Sequence, residues 1–540
     1  MRSVFFEFNV AASALYVARG NLEVTNNNIA NAAVAGYSRQ YAEQRASWPL
    51  TFMNGKGMVG TGAEIYGIGQ MRDFYLDKRY WSETGVLGEY GMKATQLALS
   101  QSILNEASST GLSAAFTDLY NKAQDLSQKP EDATYRTNFL QSADALAKLV
   151  NSSAQSLRKQ QADINNEVRT MADIVNSLGQ RIRTLNEQIS KYEIDGSRAN
   201  DLRDERTRLC DELSRYVNIE VKEAEANPDY AAGMYPDPED RGKSDKRFSV
   251  LINGYEFVNH YNVNLLQVTE RTAGQRRNAM DADGLYDISF VNGTQFDIYN
   301  PNLKGQLKGL IDIRDGNNGN NGANGATTSY KGIPHYLNKL NTLVQVFAKA
   351  MNLGLDQFDN QISGVIGQEN GYDQLGNRGQ YSLFTYDGLD RVAYDAASGI
   401  DDYANINCFN FQVNRALLTD VRFLATSVSN LSGESDNNVV LGYAKVKESK
   451  SLYSEGMLGD YINGIASELG IDVKQAGSFT NNYTDVTTTI DMQRQSVSSV
   501  DLNEEIINMI KSQQLYQAAA KLINVIDGIY DTTINRLGLI

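Results

Sequence analysis

The sequence predicts a mainly α-helical chain. Terminal helices form a coiled-coil-like inner domain, a long helical rod domain follows, and β-rich outer domains are inserted into it. Three observations predict this. Apolar residues recur at helical spacing at both chain ends, an unbroken helical repeat runs through the first half of the interior, and short alternating runs punctuated by Asn-Gly interrupt the helical text further on.

At the N-terminus, Phe5, Phe8, Ala12, Leu15, Leu22 and Ile29 fall on a 3-4-3 spacing with gaps at Arg19 and Asn26, a narrow stripe on one helix face. Asn31 to Gly36 reads as the helix stop and loop, with glycine supplying the permissive backbone. The stretch NNNIANAAVAGYSRQ, Asn26 to Gln40, thus breaks a helix early and turns the chain. Residues 50 to 90, rich in Gly and Tyr, read as extended or irregular. From about 92 to 224 helical periodicity dominates. Ile164, Val168, Met171, Val175, Leu178, Ile182, Leu185, Ile189 and Tyr192 hold a 4-3 alternation, which reaches back with one phase slip through Leu157, Val150, Leu146 and Ala143 to Phe139. A helix over those 54 residues is on the order of 80 Å long, too long for the inside of a compact enzyme domain.

Residues 226 to 245 form a Pro, Gly and charge cluster that reads as a loop. RFSVLINGYEFV, NLLQVTER and YDISFVNGTQFDIY read as strands joined by Asn-Gly turns. GNNGNNGANGATTS is a low-complexity loop with nothing to bury, and HYLNKLNTLVQVFAKAMN returns to helical spacing. The C-terminal segment mirrors the first: Leu502, Ile506, Met509, Tyr516, Ala520, Ile523, Tyr530, Ile534 and Leu537 alternate 4-3 with interruptions at Gln513 and Asp527. The expected domains are 1–60 with 490–540 (terminal helical polymerisation domain), 61–225 with 301–359 and 436–489 (helical rod), 226–300 (β-rich insertion) and 360–435 (a second, mixed α/β insertion).

Composition narrows the function. A hydrophobic share of 41% and a charged share of 21% suit a globular chain, and a net charge of −15 argues against nucleic acid or anionic membrane as partner. Two cysteines, Cys210 and Cys408, offer no disulfide framework or metal spacing. The two histidines, His260 and His335, have no supporting catalytic motif. Asp201, Asp204, Glu205, Asp211 and Glu212, interleaved with Arg203, Arg206 and Arg208, read as a solvated helix face laced with ion pairs. DADGLYD, Asp281 to Asp287, lacks the spacing and closing Glu of a calcium loop. No catalytic, cofactor or metal residue is expected. No run approaches a membrane span, and the first apolar run, broken by Glu7 and Asn9, has no signal-peptide cleavage site.

NNNIANAAVAGYSRQ resembles the signature of bacterial flagellar axial proteins, and its Gly-Tyr-Ser-Arg-Gln ending is similar to that of the hook-associated protein 1 family, with Val34-Ala35 where the family usually has Thr-Pro. QKPEDATYRTNFLQSADALAKL (128 to 149), ANDLRDERTRLCDELS (199 to 214), LKGQLKGLIDIRDG (303 to 316) and SVSSVDLNEEIINMIKSQQLYQAAAKLINVID (496 to 527) resemble further segments of that family in the expected order.

The resemblance implies a structural, non-enzymatic subunit that joins hook to filament by polymerising into a ring-like zone. Its implied partners are copies of itself, the hook protein, the second junction protein and an export chaperone. It implies export through the flagellar type III apparatus to an extracellular place in the flagellum, without a cleaved signal. The assembly residues expected are Phe5, Phe8, Leu15, Leu22, Asn28, Ile29, Asn31, Gly36, Tyr37, Ser38, Arg39 and Gln40 at one end, and Leu502, Ile506, Met509, Gln513, Gln514, Tyr516, Ala520, Ile523, Tyr530, Ile534 and Leu537 at the other. Two alternatives stand beside this. One is another axial protein, the second junction protein or a hook subunit, against which the Gly-Tyr-Ser-Arg-Gln ending and the chain length argue; the other is a secreted enzyme with coiled-coil ends, which would need an acid/base site that the residues do not supply.

Overall fold

The structure is a computed structural model that describes residues 6–51, 57–104, 111–193, 197–225, 246–294, 296–320, 327–431 and 435–533. Expectations for Phe5, Ile534, Leu537 and the 226–245 loop lie outside the described residues. Helix α1 (Phe6–Asn31) leads into an antiparallel ribbon of β1 (Gln40–Ala46) and β4 (Ala63–Gln70), whose outer end carries the short pair β2 (Leu50–Thr51) and β3 (Met58–Val59). Four helices follow: α2 (Phe74–Leu104), α3 (Leu112–Gln128), α4 (Ala133–Glu193) and α5 (Asn200–Tyr216).

The expectation of irregular structure up to residue 90 is corrected here, because α2 already begins at Phe74. Gly88 within it serves packing rather than helix breaking. A Cβ at Gly88 would meet the Arg215 carbonyl oxygen at 2.3 Å, so glycine is what lets α2 lie against the end of α5.

Helix α4 has 61 residues and is about 90 Å long. Asp132 starts it, accepting from the Thr134 N–H at 2.8 Å through its side chain. Arg136, fully buried, reaches back to the Pro130 carbonyl (2.6 Å) and across to the Leu424 carbonyl (2.7 Å) and Thr426 hydroxyl (3.0 Å). The Pro-Glu-Asp segment thus caps the long helix and ties residues 424–426 to it. Phe139, Leu146, Val150, Leu157, Ile164, Val168, Val175 and Ile182 are all buried, whereas Tyr192 at the helix end is exposed.

The β-rich part is a four-stranded antiparallel sheet, β5 (Ile219–Glu225), β6 (Lys246–Ile252), β7 (Tyr255–Asn259) and β8 (Asn262–Val263), beside the pair β9 (Leu266–Glu270) and β10 (Tyr286–Phe290). The β6–β7 turn is Asn253-Gly254, both with positive φ, as an Asn-Gly hairpin requires. Helices α6 (Gln306–Asp315) and α7 (Ile333–Leu353) then pack on α2 and α4. Residues 384–435 hold the short strands β11 (Phe384–Thr385), β12 (Tyr394–Asp395), β13 (Ile400–Asp401) and β14 (Gln412–Val413) with the single-turn helix α8 (Arg415–Thr419). Helices α9 (Asn438–Val446), α10 (Leu458–Ser498) and α11 (Leu502–Asp531) complete the chain.

One hydrophobic core runs from Trp81 through these parts to Ala476. At its centre is a fully buried carboxylate, Asp315, which accepts from Arg314 (2.7 Å), Arg271 (2.9 Å) and the Tyr299 hydroxyl (2.7 Å). Burial pushes its pKa up, but the two guanidiniums prevail and hold it far below the usual carboxylate range. Arg271 belongs to the β-rich part and Asp315 to α6, so the buried ions join the sheet region to the helices.

Candidate assembly site at the chain ends

The two ends meet. Helix α1 packs along α11, and the Arg39 N–H donates to the Ser498 carbonyl at 2.8 Å, which sets the exit of α1 beside the entry of α11. The two helices therefore run antiparallel. The buried line of α1 is Ala11, Ala18 and Thr25, and that of α11 is Glu505, Ser512, Ala519 and Ile526, each at seven-residue spacing. These residues are mostly small, which allows the helix axes to approach closely.

Both expected stripes are thus half placed. On α1, Leu15, Leu22 and Ile29 flank the buried line, but its other column is 11/18/25 instead of 12/19/26. On α11, Met509, Ile523 and Tyr530 are half-buried and Tyr516 is exposed, while Gln513 is exposed and Ala520 half-buried beside the true line 505/512/519/526. The displacement is one residue in both helices. A hydrophobicity reading favours large residues and passes over an Ala and Ser seam.

Past α1, Gly36 takes φ +83, a left-handed turn that favours glycine, and the Tyr-Ser-Arg-Gln run folds into a polar clasp. The Tyr37 hydroxyl donates to Asn28 Oδ1 (2.9 Å), and burial, with Asp201, Asp204 and Glu505 nearby, pushes its pKa up to about 12, keeping it a donor. Asn28 also receives the Gln40 N–H (2.9 Å) and donates to the Gln40 carbonyl (2.8 Å). Ser38 gives Asp204 of α5 both its N–H (2.8 Å) and its hydroxyl (2.7 Å), and Gln40 donates to Asp201 at 2.7 Å. Burial raises the Asp204 pKa, opposed by Ser38 and Arg72, whose guanidinium lies 3.0 Å away. Arg39 reaches α11, pairing with Glu504 (2.7 Å) and the buried Glu505 (2.7 Å). Below the clasp, Arg494 of α10 bridges Asp77 (2.8 Å) and Asp211 (3.0 Å), and Trp81 donates to Asp211 at 2.6 Å.

The α5 carboxylates correct the sequence reading. Glu205 and Glu212 do pair with arginines near the surface, but Asp201 and Asp204 hold the Ser38–Gln40 run, and Asp211 holds Arg494 of α10 and Trp81 of α2. The signal was the recurrence of Asp204 and Asp211 at seven-residue spacing on one helix. Asn28, Ser38 and Gln40 are buried with their polar groups engaged inside the subunit, so these three act by shaping the terminal unit and present no surface to a neighbour.

Leu502 and Ile506 are exposed, as is Gln514, while Phe8 is exposed at the far end of α1. Asn31 is half-buried and bonds back to Asn27. A row absent from the sequence reading stands out on α11: Leu515, Ala518, Leu522, Val525 and Ile529 follow a 3-4-3-4 spacing, and all five are exposed.

Cys210 is fully buried, and burial pushes its thiol up to about 12, so it is an inert packing group. Asp281 and Asp287 of the acidic loop are taken up by Asn278, Gln161 and Arg271. Among the described residues no group of three or more His, Cys, Asp or Glu could hold a metal ion, and no helix is long and apolar enough to cross a membrane.

Paired chain ends, a polar clasp and a helix with an uncovered apolar row define a mainly helical assembly subunit. Residues 97–362 match the family described as flagellar hook-associated protein FlgK helical domain, and residues 493–537 match the flagellar basal body rod FlgEFG protein C-terminal family. The flagellar hook-associated protein 1 of Bacillus subtilis is 27% identical over 556 residues, covering 100% of this chain and 99% of that relative. That of Escherichia coli is 22% identical, covering 98% of this chain and 99% of its own length. The solved flagellar hook junction protein FlgK from Burkholderia pseudomallei shares the fold, with a TM-score of 0.57 at 13% identity over 78% of this chain and 100% of that one. Over its full length the chain matches flagellar hook-associated protein 1 relatives.

Proposed function

We propose that this chain is a structural subunit of the bacterial flagellum that polymerises into the zone joining hook to filament. The observation that carries the reading is the exposed row Leu515, Ala518, Leu522, Val525 and Ile529 on α11, a coiled-coil-type seam with no covering helix among the described residues. A narrow 3-4 row of apolar residues buries well only against another helix, and a neighbouring copy supplies one at every step of a repeating assembly. The chain acts by assembly rather than catalysis, outside the cell, with the hook protein on one side, the second junction protein on the other and a chaperone before export. The matched family models and the full-length match to hook-associated relatives support these partners.

The test is complementation of a strain lacking the gene with Leu515→Asp or Val525→Asp. Hooks without filaments, with flagellin lost to the medium, are expected. Normal filaments from both variants overturn the reading.

A further inference from the structure

Helices α2 and α6 bury a cluster of charges where they cross. Gly309 makes the crossing close: a Cβ there would meet the Glu89 carbonyl oxygen at 2.6 Å, so glycine lets α6 sit directly on α2. One turn further on, Asp312 Oδ2 lies 2.6 Å from the Lys93 Nζ, and Glu89 Oε1, one turn before Lys93 on α2, lies 2.6 Å from the same nitrogen. All three side chains are buried. The Tyr330 and Tyr90 ring centroids lie 4.1 and 5.3 Å from that nitrogen. The buried Lys308 sits 2.9 Å from the other Asp312 oxygen, and Lys304 sits 3.5 Å from the other Glu89 oxygen. An amine, the carboxyl group of a second helix and a third group able to carry protons are thus held in contact, among aromatic rings and away from water.

We infer that Lys93 and Asp312 condense into an intramolecular amide bond, with Glu89 as the proton carrier, which joins α2 to α6 covalently in the folded chain. Glu89 takes two of the three Lys93 ammonium protons, one after the other, and passes them to Asp312 Oδ2. The Nζ–Cγ bond forms, the Cγ–Oδ2 bond breaks, and that oxygen leaves with the two protons as water. The third proton stays on the amide nitrogen, Glu89 ends as the carboxylate it began as, and nothing is oxidised or reduced. Charge building on Oδ1 during the attack faces the Lys308 ammonium. Burial pushes the Lys93 ammonium toward losing its proton, while Asp312 and Glu89 pull the other way and prevail, so its pKa stands above the ordinary value. That resists loss of the proton to solvent. Transfer to a carboxylate already in contact leaves the net charge of the cluster unchanged, and a buried amine and acid are both favoured in their neutral forms. Holding the two groups together makes the condensation intramolecular, and excluding water removes the reagent of the reverse reaction. The bond gives this chain, whose two cysteines are free and buried, a covalent tie of another kind.

The experiment is intact-mass spectrometry of the purified full-length chain, followed by tryptic mapping. A mass short of the sequence by one water is expected, with a product in which residues 80–122, uncut after Lys93, are joined to residues 309–314. Lys93→Arg keeps the positive charge but carries no amine able to condense, and should restore the full mass. A deficit that persists in Lys93→Arg comes from a cyclised Asn or Asp elsewhere and overturns the inference. Glu89→Gln keeps the shape and removes the proton carrier, so freshly folded protein should hold its full mass longer than the parent; bond formation at the parent's rate overturns the role given to Glu89. A parent chain at full mass after days in the folded state, with no joined peptide, overturns the inference however the variants fold. The readout is one purified subunit, so this result and the complementation result of the assembly proposal stand or fall separately.

Discussion

Helices α4 and α11 carry nearly the same kind of apolar alternation, yet one is finished inside the subunit and the other is not. Along α4 the alternating residues are covered by α3, α5, α6, α7 and the strands β7 and β9, so Phe139 to Ile182 are buried on a helix whose far face is polar. Among the described residues, helix α11 packs mainly on α1. Its buried line is Glu505, Ser512, Ala519 and Ile526, and its larger residues Leu515, Leu522, Val525 and Ile529 point elsewhere. An apolar repeat in a sequence states that a helix face needs covering; it does not state whether the cover is in the same chain.

The comparison breaks most visibly at α4. Val168→Asp places a carboxylate at a fully buried position with no cation provided for it, and should cost on the order of 4–5 kcal/mol. Thermal melting followed by circular dichroism should show either a large drop in Tm or no folded protein. A Tm within a few degrees of the parent means that α4 is not the core the structure describes.

Next in size is the buried ion cluster. Asp315→Asn removes the carboxylate shared by Arg314 and Arg271, leaving Arg314 facing an amide while Arg271 keeps its pair with Asp287, a loss of about 3–5 kcal/mol. Because both the sheet region and α6 meet there, limited proteolysis should open the 246–290 region first. Chemical denaturation showing a loss below ~1 kcal/mol would mean that the arginines find other partners at once.

These two sites were unequally legible. The α4 alternation was open to reading because large apolar residues repeat there without interruption, and the Asn253-Gly254 turn because few residues accept positive φ twice in a row. Asp315 was legible only as a motif residue, since its partner Arg271 is remote in sequence and adjacency in space leaves no trace in a single chain. The clasp was half legible. Tyr37 to Gln40 were singled out at once, but Asp201 and Asp204 looked like surface acids among arginines, and only the fold brings Ser38 to them. The 3-4 row on α11 went unread because the neighbouring 4-3 reading of the same helix accounted for enough apolar residues to look complete.

A smaller effect separates the two helices by pH. Glu193, at the end of α4, is pushed up by burial, but two hydrogen bonds from Arg203 of α5 at 2.7 Å outweigh this and hold its pKa below the ordinary value. A carboxylate with a lowered folded pKa contributes stability above its unfolded pKa of about 4.3, and that stability is lost as pH falls through the folded value. Glu193→Gln should therefore be less stable than the parent at pH 7, and the gap should close in acid below about pH 4. A gap that is constant between pH 7 and pH 3 in urea denaturation would show that the Arg203 bonds do not set the difference.

The smallest effect on the isolated chain is expected where the largest effect on assembly is. Leu522 and Ile523 are adjacent on α11, but Leu522 is 50% exposed while Ile523 is half-buried, on the flank of the line that meets α1. Leu522→Asp puts a charge into water and should leave monomer stability within about 0.5 kcal/mol of the parent, whereas Ile523→Asp should cost about 1–2 kcal/mol by disturbing the α1 contact. Lys521→Asp, exposed on a third side, should be as silent as Leu522→Asp in the monomer. In cells the order changes: Leu522→Asp should abolish filament attachment and Lys521→Asp should support it. If Leu522→Asp destabilises the purified chain as much as Ile523→Asp, the row is covered within the subunit after all, and the contrast between α4 and α11 disappears.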